Sequence, residues 1–414
     1  MPLLLTKKLT MKRLLLFVFL VTMMSWVATA GGYQVRLQGQ KQTGMGLVGS
    51  PFALGASSIF YNPGGLSMME TKFSFSAGVS GIMANAVFQK NATDYQARTD
   101  NPTGTPFYFY GAGMITDKLS IGLGVYTPFG SSAKWDDDWA GRYLIQNISL
   151  SAIYFQPTIG YKINEFISIG AGFVYAYGKV DLNKALPYND NSSVELSGTA
   201  GNIGFNAGVM VRPVENLSIG IDYRSQIMMK VEGGDATFNV PAALSSSIPE
   251  KNKFNAELPM PANLDIGIAY EFTEKFTLAL EMNYVMWSIY EELEFTFEEQ
   301  NELLGSANPR EYKNSLIGRI GAQYAMNNTF TFRAGLYYDP SPTNDDYFNP
   351  ETVSLNTIGW TLGVSIAPVK NLSIDLSYIQ LHGLETEKWY KPANFGGKYK
   401  VITAIPGIGL SYNF

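Results

Sequence analysis

The chain ends in Gly407-Ile408-Gly409-Leu410-Ser411-Tyr412-Asn413-Phe414, where apolar side chains alternate with small or polar ones up to a terminal aromatic residue. Side chains of a strand point alternately to its two faces, so Ile408, Leu410, Tyr412 and Phe414 share one apolar face. An outer-membrane β-barrel ends in such a strand, because the last strand must pair with the first to leave no open edge in lipid. This stretch therefore predicts a transmembrane β-barrel.

Residues 1–30 have the pattern of a secretory signal peptide. Basic residues precede the short apolar run 14–21, and Ala28-Thr29-Ala30 supplies the small residues that come before a cleavage site. We therefore expect a mature chain of residues 31–414. A start at Met11 would leave the same signal intact, and an uncleaved membrane anchor is the alternative interpretation of the apolar run.

The composition excludes several classes of protein. Four of the 30 basic residues lie in the leader, so 26 basic and 35 acidic residues remain and the mature chain has a formal charge of −9. An acidic exported chain is a poor binder of nucleic acid. The lack of cysteine excludes disulfides, thiolate chemistry and lipid attachment at an N-terminal cysteine. No apolar stretch after the leader reaches the roughly 20 residues that a membrane helix needs.

A repeated pattern allows the strands to be counted. Six times, a short polar turn is followed by an alternating segment that ends in aromatic residues, and another apolar segment precedes each turn. The turns are Asp117-Lys118, Asn164-Glu165, Glu215-Asn216, Glu274-Lys275, Asn327-Asn328 and Lys370-Asn371. Six hairpins together with a first strand near 71–88 and a last strand at 401–414 predict a 14-stranded antiparallel barrel over residues 71–414. Both termini then lie on the periplasmic side, and the long connections, such as 128–148, 233–261 and 297–314, lie outside.

Alternation within the strands predicts which side chains face the lumen. Leu217, Ile219, Ile221 and Tyr223 share one face, and Asp222 belongs to the opposite one. A charge that faces lipid at mid-bilayer costs about 2–4 kcal/mol. We therefore expect five charged residues to point inward, namely Asp222, Arg224, Glu281, Arg333 and Asp375.

The lumen of a 14-stranded barrel is too wide to be filled by wall side chains alone. Residues 31–70 are rich in glycine, lack sustained alternation and carry many apolar side chains, so they are too irregular for a strand and too apolar for a free tail. We expect this segment to be a compact hatch inside the barrel. Its apolar side chains Phe52, Leu54 and Phe60 are candidates for contact with a ligand.

Several motifs resemble, in the same order, those of the FadL outer-membrane transporters of long-chain fatty acids and the related TodX channels for aromatic hydrocarbons. In the hatch they are Gly31-Gly32-Tyr33-Gln34, Gly44-Met45-Gly46 and the segment 56–67. In the barrel they are Pro128-Phe129-Gly130, Trp139-Ala140-Gly141-Arg142-Tyr143, Tyr223-Arg224-Ser225, Leu258-Pro259-Met260-Pro261-Ala262, Trp287-Ser288, Thr331-Phe332-Arg333-Ala334-Gly335 and Asp339-Pro340-Ser341-Pro342. The resemblance spans essentially all of the mature chain and implies an uptake channel for hydrophobic molecules.

The resemblance also implies where such a channel would move. The family's Asn-Pro-Ala of the hatch reads Asn62-Pro63-Gly64 here, so glycine leaves the backbone after Pro63 less restricted. An ordinary tight turn is the alternative. The family has a gap in the wall at the third strand, and the candidate residues for this lateral opening here are Gly122, Gly124, Pro128 and Gly130. The glycines would alternatively give the hatch room.

A fatty-acid carboxylate would need a basic partner in the lumen or at the outer mouth. By resemblance to basic residues of the family's inner wall and tenth strand, the candidates are Lys179 and Arg310, with Arg142 as a third. Each would alternatively balance nearby acidic residues. The sequence does not distinguish a fatty acid from an alkane or an aromatic hydrocarbon as the ligand.

Competing functions have less support. The only histidine, His382, is in phase with the lipid-facing residues of its predicted strand, so an outer-membrane lipase or protease is disfavoured. A general porin would lack an apolar hatch, whereas an adhesive role of the outer loops stays open. We expect no cofactor and no metal site. The expected partners of this Gram-negative outer-membrane monomer are a hydrophobic ligand, membrane lipid, lipopolysaccharide and the barrel-assembly machinery.

Overall fold

The computed structural model describes residues 31–299 and 308–414. The expected signal peptide, residues 1–30, lies outside the described residues, as does the part 300–307 of the outer connection predicted at 297–314. The main sheet is antiparallel and closes on itself as a 14-stranded barrel, which confirms the predicted fold class. Among the described residues, no helix is long and apolar enough to cross a membrane.

Some barrel strands consist of two segments that continue each other across a bend. The first seven strands are β1 (Phe73–Ser80 and Met83–Lys90), β2 (Gln96–Arg98 and Phe107–Met114), β3 (Leu119–Lys134), β4 (Asn147–Lys162), β5 (Ile167–Ala185), β6 (Ser193–Val214) and β7 (Leu217–Arg224 and Ile227–Asn239). The other seven are β8 (Lys251–Met260 and Asn263–Thr273), β9 (Phe276–Val285), β10 (Ser315–Ala325), β11 (Phe330–Asp339), β12 (Thr357–Val369), β13 (Leu372–Tyr390) and β14 (Phe395–Asn413).

Several short elements lie at the outer end of the barrel. Phe295–Phe297 pairs with the outer segment of β8, and Glu292–Leu293 pairs with Asn308–Pro309 in a separate two-stranded ribbon. Two 3₁₀ turns, Trp287–Ile289 and Lys391–Ala393, lie in the same outer region.

The barrel closes between its first and last strands. β1 pairs with β14 from Ser74↔Asn413 to Ser80↔Gly407, and Phe73 and Phe414 exchange backbone hydrogen bonds of 2.8 and 3.0 Å. The Phe414 ring stacks on Phe73 with a centroid distance of 5.1 Å. The side chains of Ile408, Leu410, Tyr412 and Phe414 are exposed on the outer wall, as the terminal alternation predicts.

The predicted turns and faces agree with the structure. All six predicted short turns connect neighbouring antiparallel strands, from β2–β3 to β12–β13. The five charged residues predicted to face inward are all buried within the barrel, and they are Asp222, Arg224, Glu281, Arg333 and Asp375. Large apolar side chains, in contrast, cover the outer wall.

Several strands extend farther outward than the sequence predicts. β3 continues to Lys134 and β8 begins at Lys251, so the predicted connections 128–148 and 233–261 are partly strand. Above the membrane a strand keeps its backbone pairing but no longer needs an apolar outer face. The alternation that marks a lipid-facing strand is therefore lost where the strand itself continues.

The segment that follows residue 30 lies inside the barrel. It contains two short helices, α1 (Gln40–Gly44) and α2 (Ser58–Tyr61), and two 3₁₀ turns, Gly55–Ser57 and Pro63–Met68. Its side chains are mostly buried, and Met45, Val48, Ile59 and Leu66 have no exposed surface. Wall glycines allow this close fit. A Cβ at Gly220, Gly321 or Gly335 would collide with the hatch backbone at Ser50, Met45 or Gly46, respectively.

We predict that deletion of Phe414 lowers the amount of folded barrel in the outer membrane. The deletion removes two backbone hydrogen bonds and an aromatic stack at the only seam where distant ends of the described sheet meet. Heat-modifiability on gels of outer-membrane fractions measures the folded protein. Phe414→Tyr keeps the backbone pairing and the ring, so it is the matched control. Equal folded amounts for the deletion and for Phe414→Tyr would contradict the prediction.

Candidate functional site

Four buried charges connect the hatch to the wall. Arg36 of the hatch donates hydrogen bonds to Asp265 on β8 and to Glu281 on β9, both at 2.9 Å. Arg319 on β10 lies 3.2 Å from Glu281 and 3.8 Å from Asp265. Two cations and two carboxylates thus neutralise one another, as burial requires. We call Arg36, Asp265, Glu281 and Arg319 the charge cluster.

The charge cluster also holds the hatch backbone. The second carboxylate oxygen of Glu281 accepts hydrogen bonds from the backbone N–H groups of Gly49 and Ser50, at 2.9 and 2.7 Å. The Arg36 guanidinium lies 5.3 Å from the centre of the Tyr61 ring, and the Tyr61 hydroxyl donates to the Arg36 carbonyl. Glu281 therefore binds two separate parts of the hatch at once.

Two other lumen groups contact the hatch from different sides. Arg224 on β7 donates to the carbonyl of Phe60 at 2.6 Å, and its guanidinium lies 4.5 Å from the centre of the Phe60 ring. On the other side, Lys41 of α1 lies 3.9 Å from Asp375 on β13, whose carboxylate also accepts from Ser411 at 3.0 Å. The hatch is thus bound by polar contacts around the lumen.

The predicted gating motif Asn62-Pro63-Gly64 lies against β6. The Asn62 amide donates to the carbonyls of Ser50 and Val209, and its oxygen accepts from the Gly64 N–H at 2.9 Å. A Cβ at Gly64 would lie 2.8 Å from the backbone nitrogen of Met210. Glycine is required here because the hatch backbone touches the wall backbone, a reason that differs from the mobility inferred from sequence. The gating role stays a prediction.

A cavity of about 620 Å³ lies between the hatch and the outer part of the wall. Its apolar lining comes from both, and includes Leu37, Leu47, Phe129, Leu150, Ile317 and Ile379. Arg36, Arg319, Asp339 and Glu351 supply charged groups to its surface. The cavity therefore offers a largely apolar space, and the two arginines of the charge cluster form part of its charged boundary.

The wall is interrupted beside this cavity. Ladder pairing between β2 and β3 ends at Tyr108↔Tyr126, and the register of β3 against β4 shifts between Tyr126 and Phe129. Beyond this point the hatch replaces β2, since Val35 donates to the Pro128 carbonyl at 2.7 Å and Gly130 donates to the Tyr33 carbonyl at 3.1 Å. The cavity reaches this β2–β3 interruption, because the same cavity is lined by the segments 102–107 and 129–133.

The four residues predicted for a lateral opening fall into two pairs. Pro128 and Gly130 lie at the β2–β3 interruption. Gly122 and Gly124 lie below it, in continuous register with Ala112 and Tyr110, so the structure does not place these two in the opening. A Cβ at Gly122 would lie 2.7 Å from the Cδ1 of Ile59 in the hatch. The two glycines make room for the hatch, which is the alternative that the sequence leaves open.

The predicted ligand contacts in the hatch lie apart from the large cavity. Phe60 is buried against Arg224 and Tyr126, and Phe52 packs with the buried Val48, Ala269 and Ala279. Leu54 is half-buried. None of these three is among the described residues that line the cavity. Their contact with a ligand stays a prediction.

The three predicted basic partners are occupied by other groups. Lys179 points to the outer face of β5 and pairs with Asp181 at 2.8 Å. Arg142 packs on the ring of Tyr143 in the outer loops. Arg310 is buried and donates to Glu351 at 2.9 and 2.7 Å. Burial opposes its charge, but Glu351 and nearby tyrosines outweigh that effect and raise the pKa of the Arg310 guanidinium.

Sequence reasoning named only one member of the charge cluster, Glu281, as an inward-facing residue. Arg319 could have been found in the same way, because it alternates with the exposed Leu316 and Ile320 on β10. Arg36 lies in the irregular hatch, where no periodicity indicates direction. Over residues 31–299 and 308–414, no group of three or more His, Asp or Glu side chains could hold a metal ion.

The sequence model of the family described as "Outer membrane protein transport protein (OMPP1/FadL/TodX)" matches residues 21–414. The chain belongs to the FadL/TodX family. It is therefore an outer-membrane transporter of hydrophobic compounds, with the family's β-barrel fold. The FadL/TodX family and its fold are those of transporters and channels rather than of enzymes.

Curated relatives of the FadL/TodX chain cover most of its length. It is 25% identical to "Outer membrane protein P1" of Haemophilus influenzae over 379 residues, and this alignment covers 80% of this chain and 81% of the relative. It is 21% identical over 435 residues to the "Long-chain fatty acid transport protein" of Salmonella typhi, covering 95% and 97%.

Solved structures show the same fold. A FadL homologue of Pseudomonas aeruginosa superposes with a TM-score of 0.82 at 19% identity, covering 93% of this chain and all of that one. The toluene transporter TbuX of Ralstonia pickettii superposes with a TM-score of 0.72 at 18% identity, covering 91% and 98%.

We predict that Glu281→Gln loosens the hatch. The change keeps the shape of the side chain but leaves two buried arginines with a single acidic partner, and breaking a buried pair costs about 3–5 kcal/mol. A cysteine introduced at Met45, which is fully buried in the hatch, reports the opening. Its reaction with a water-soluble maleimide should accelerate at least about tenfold in the Glu281→Gln background, which needs only about 1.4 kcal/mol.

The matched control is Asp181→Asn, which removes the carboxylate of an exposed ion pair on the outer part of β5. It should leave the rate of Met45→Cys labelling unchanged, because an exposed pair contributes little to stability. Equal labelling rates of Met45→Cys in the Glu281→Gln and Asp181→Asn backgrounds would show that Glu281 does not restrain the hatch.

Proposed function

We propose that this FadL/TodX protein takes up long-chain fatty acids by passive diffusion. The ligand enters the luminal cavity, the hatch rearranges, and the ligand leaves sideways into the outer membrane at the β2–β3 interruption. The observation that carries the proposal is the single, largely apolar cavity that extends from the hatch to this interruption. Such a path keeps a hydrocarbon chain away from water between the cavity and the lipid.

The size of the cavity favours a long chain over a small ring. A cavity of about 150 Å³ is enough to hold benzene. The luminal cavity has about 620 Å³, roughly four times as much. The relative named "Long-chain fatty acid transport protein" supports the same choice. The toluene transporters among the similar structures support the second candidate, an aromatic-hydrocarbon or alkane channel.

The hatch must change its position for transport to proceed. Full burial of a sixteen-carbon chain contributes roughly 12 kcal/mol at about 0.8 kcal/mol per methylene, which would make release very slow. Residues 33–35 hydrogen-bond to β3 where β2 is missing, so they cover the lateral route. Displacing this segment would open the route and would also remove part of the cavity lining that holds the ligand.

The head group contributes little to binding in this proposal. The two arginines that line the cavity, Arg36 and Arg319, are already paired with Asp265 and Glu281. Arg310 is paired with Glu351. A ligand carboxylate would have to displace a buried protein carboxylate to reach any of them, and would gain little by that exchange.

The proposal includes neither catalysis nor a cofactor. A general porin is disfavoured because the hatch occupies the lumen, and its side chains are mostly buried. We propose that the protein acts as a monomer, with membrane lipid and lipopolysaccharide around it and the barrel-assembly machinery as its folding partner.

We predict that a disulfide between Ile59→Cys and Gly122→Cys stops uptake. Ile59 is the hatch residue that touches this wall glycine, with its Cγ1 3.1 Å from the position of a Cβ at Gly122. The cross-link would hold α2 of the hatch against β3. Uptake of radiolabelled palmitate by intact cells should fall when the bond forms and recover after reduction, and the native chain has no cysteine to interfere.

Two single-cysteine variants, Ile59→Cys and Gly122→Cys, are the controls for the substitutions themselves. Both should transport palmitate whether or not reductant is present. Full uptake by the double variant with its disulfide verified would show that transport does not require the hatch to move away from β3.

We predict that an acid and its neutral analogue bind the luminal cavity with similar affinity. Palmitic acid and hexadecanol should compete for the purified barrel within about tenfold of each other, since tenfold corresponds to only 1.4 kcal/mol. Competition against a fluorescent fatty acid in detergent measures both. A preference for the acid that is far above tenfold and disappears in Arg319→Gln would show that an arginine of the charge cluster binds the carboxylate.

A further inference from the structure

The wall is also interrupted between β6 and β7. The ladder holds from Ser193↔Asn239 to Ala200↔Val231 and resumes at Asn206↔Arg224. Between these points, the described segments 201–205 and 225–230 have no register pairs with each other. β5 pairs with β6 throughout the same stretch, so the break lies on one side of β6 only.

Side chains replace part of the missing ladder. The Asn202 amide donates to the Met228 carbonyl at 2.6 Å, and the Ser225 hydroxyl accepts from the Phe205 N–H at 2.9 Å. One backbone bond, from the Ser225 N–H to the Phe205 carbonyl, remains at the lower end. A side-chain hydrogen bond can break when the side chain rotates to another rotamer. A backbone ladder bond cannot break in this way, because the strand itself would have to move.

Apolar side chains cover the break from inside. Ile227 lies over Gly204, where a Cβ would be 2.6 Å from its Cγ1, and Met229 lies over Gly178, where a Cβ would be 2.9 Å from its Cε. Both side chains are buried. Methionine is flexible, and the glycines behind these two residues leave room for other rotamers.

A pocket and a depression meet at this break from opposite faces of the wall. Inside, an apolar pocket of about 70 Å³ is lined by residues such as Leu196, Ala200, Met229, Val231 and Leu258. Outside, a depression of about 360 Å³ is lined by Tyr175, Tyr177, Thr199, Ala200, Gly201, Asn202, Lys230 and Glu232. Ala200 lines both, so only the thickness of one strand separates the pocket from the outer surface.

The lower end of the break lies at the height of the lipid. Ser225 is eight residues from the inner end of β7 at Leu217, and Thr127 at the β2–β3 interruption is eight residues from Leu119. At about 3.3 Å per residue and a tilt near 40°, the lower ends of both breaks lie roughly 20 Å above the inner rim, within an apolar band about 25 Å tall. Ile203 and Phe205, 58% and 50% exposed, border the break outside, and Lys230 at its upper end pairs with Glu257.

We propose that the β6–β7 break is a second lateral passage, through which the hydrocarbon chain of a ligand moves between the apolar interior pocket and the outer leaflet. Ile227 and Met229 are its movable cover. This inference rests on the proposed function, uptake of long-chain fatty acids, but adds a route that leaves the barrel through a different part of the wall from the β2–β3 interruption. Lys230 is already paired with Glu257, so it offers no free positive charge to a carboxylate at the mouth, and the passage selects for the chain and not for the head group.

The test blocks each mouth from the lipid side after the barrel has assembled. Ile203→Cys places a thiol at the β6–β7 mouth and Ser132→Cys places one at the β2–β3 interruption, in a chain with no other cysteine. Cells that express each variant are treated with pyrene maleimide, a bulky lipid-soluble reagent, and the extent of labelling is read from pyrene fluorescence. Uptake of radiolabelled palmitate is then measured against the treated cysteine-free parent.

Ile358→Cys is the matched control. Ile358 is 46% exposed and lies eleven residues from the inner end of β12 at Val369, and Ile203 lies eleven residues from Val214 on β6. Ile358 differs in being ladder-paired on both sides, with Tyr338 and His382. Label at Ile358→Cys should therefore leave uptake unchanged.

Two comparable routes in parallel give a clear expectation. Label at Ile203→Cys should lower uptake about twofold, and label at both Ile203→Cys and Ser132→Cys should abolish it. The second passage would be overturned if label at Ile203→Cys left uptake unchanged in the single variant and caused no further loss when added to labelled Ser132→Cys. Complete loss with labelled Ser132→Cys alone, or equal loss with labelled Ile358→Cys, would overturn it as well. The proposed function fails separately, if the parent takes up no more palmitate than cells without it.

Discussion

Every other feature of this molecule depends on the closure of its backbone ladder. A strand edge left open in lipid would leave unpaired N–H and C=O groups, each of which costs several kcal/mol. The pairing of β1 with β14 removes that edge, and the aromatic contacts of Phe414 with Phe73 and Phe75 cover the seam on the lipid side. Closure at 14 strands in turn creates a lumen that side chains cannot fill. The hatch is a consequence of that width.

The hatch fills the lumen and contacts the wall through polar groups as well as apolar ones. Its irregular backbone needs hydrogen-bond partners, and the wall supplies them through inward side chains such as Glu281, Arg224 and Thr361. Buried charges are costly unless they are paired, so the charge cluster fixes the position of Arg36 more strictly than apolar packing would. Two members of the cluster, Arg36 and Arg319, also line the luminal cavity. In the proposed function, a ligand in the cavity therefore lies next to groups that restrain the hatch. A filled cavity changes the surroundings of the groups that restrain the hatch.

The barrel was predictable from sequence to the extent that lipid imposes alternation. Asp222 and Asp375 could be placed inward because a charge that faces lipid is expensive, and the structure agrees. Arg36 could not be placed, since the hatch has no periodicity. Gly122 shows a different limit, because a glycine in a strand indicates a bend or a close approach and only the structure shows Ile59 opposite it. Lys179 shares the outward phase of Tyr175 and Tyr177, so alternation could have excluded it from the lumen.

The two breaks in the wall differ in what covers them, and this gives them different physical behaviour. At the β2–β3 interruption the hatch backbone pairs with β3, so opening requires a segment that the charge cluster restrains to move. At the β6–β7 break the cover consists of two side chains and two side-chain hydrogen bonds, with one backbone bond at the lower end, so the proposed opening depends mainly on rotamer changes. Rotamer changes are faster than the rearrangement of a packed segment. In the proposed mechanism, a ligand at the first route must wait until the segment 33–35 leaves β3. A ligand that has reached the interior pocket at the proposed second route needs only its cover to turn.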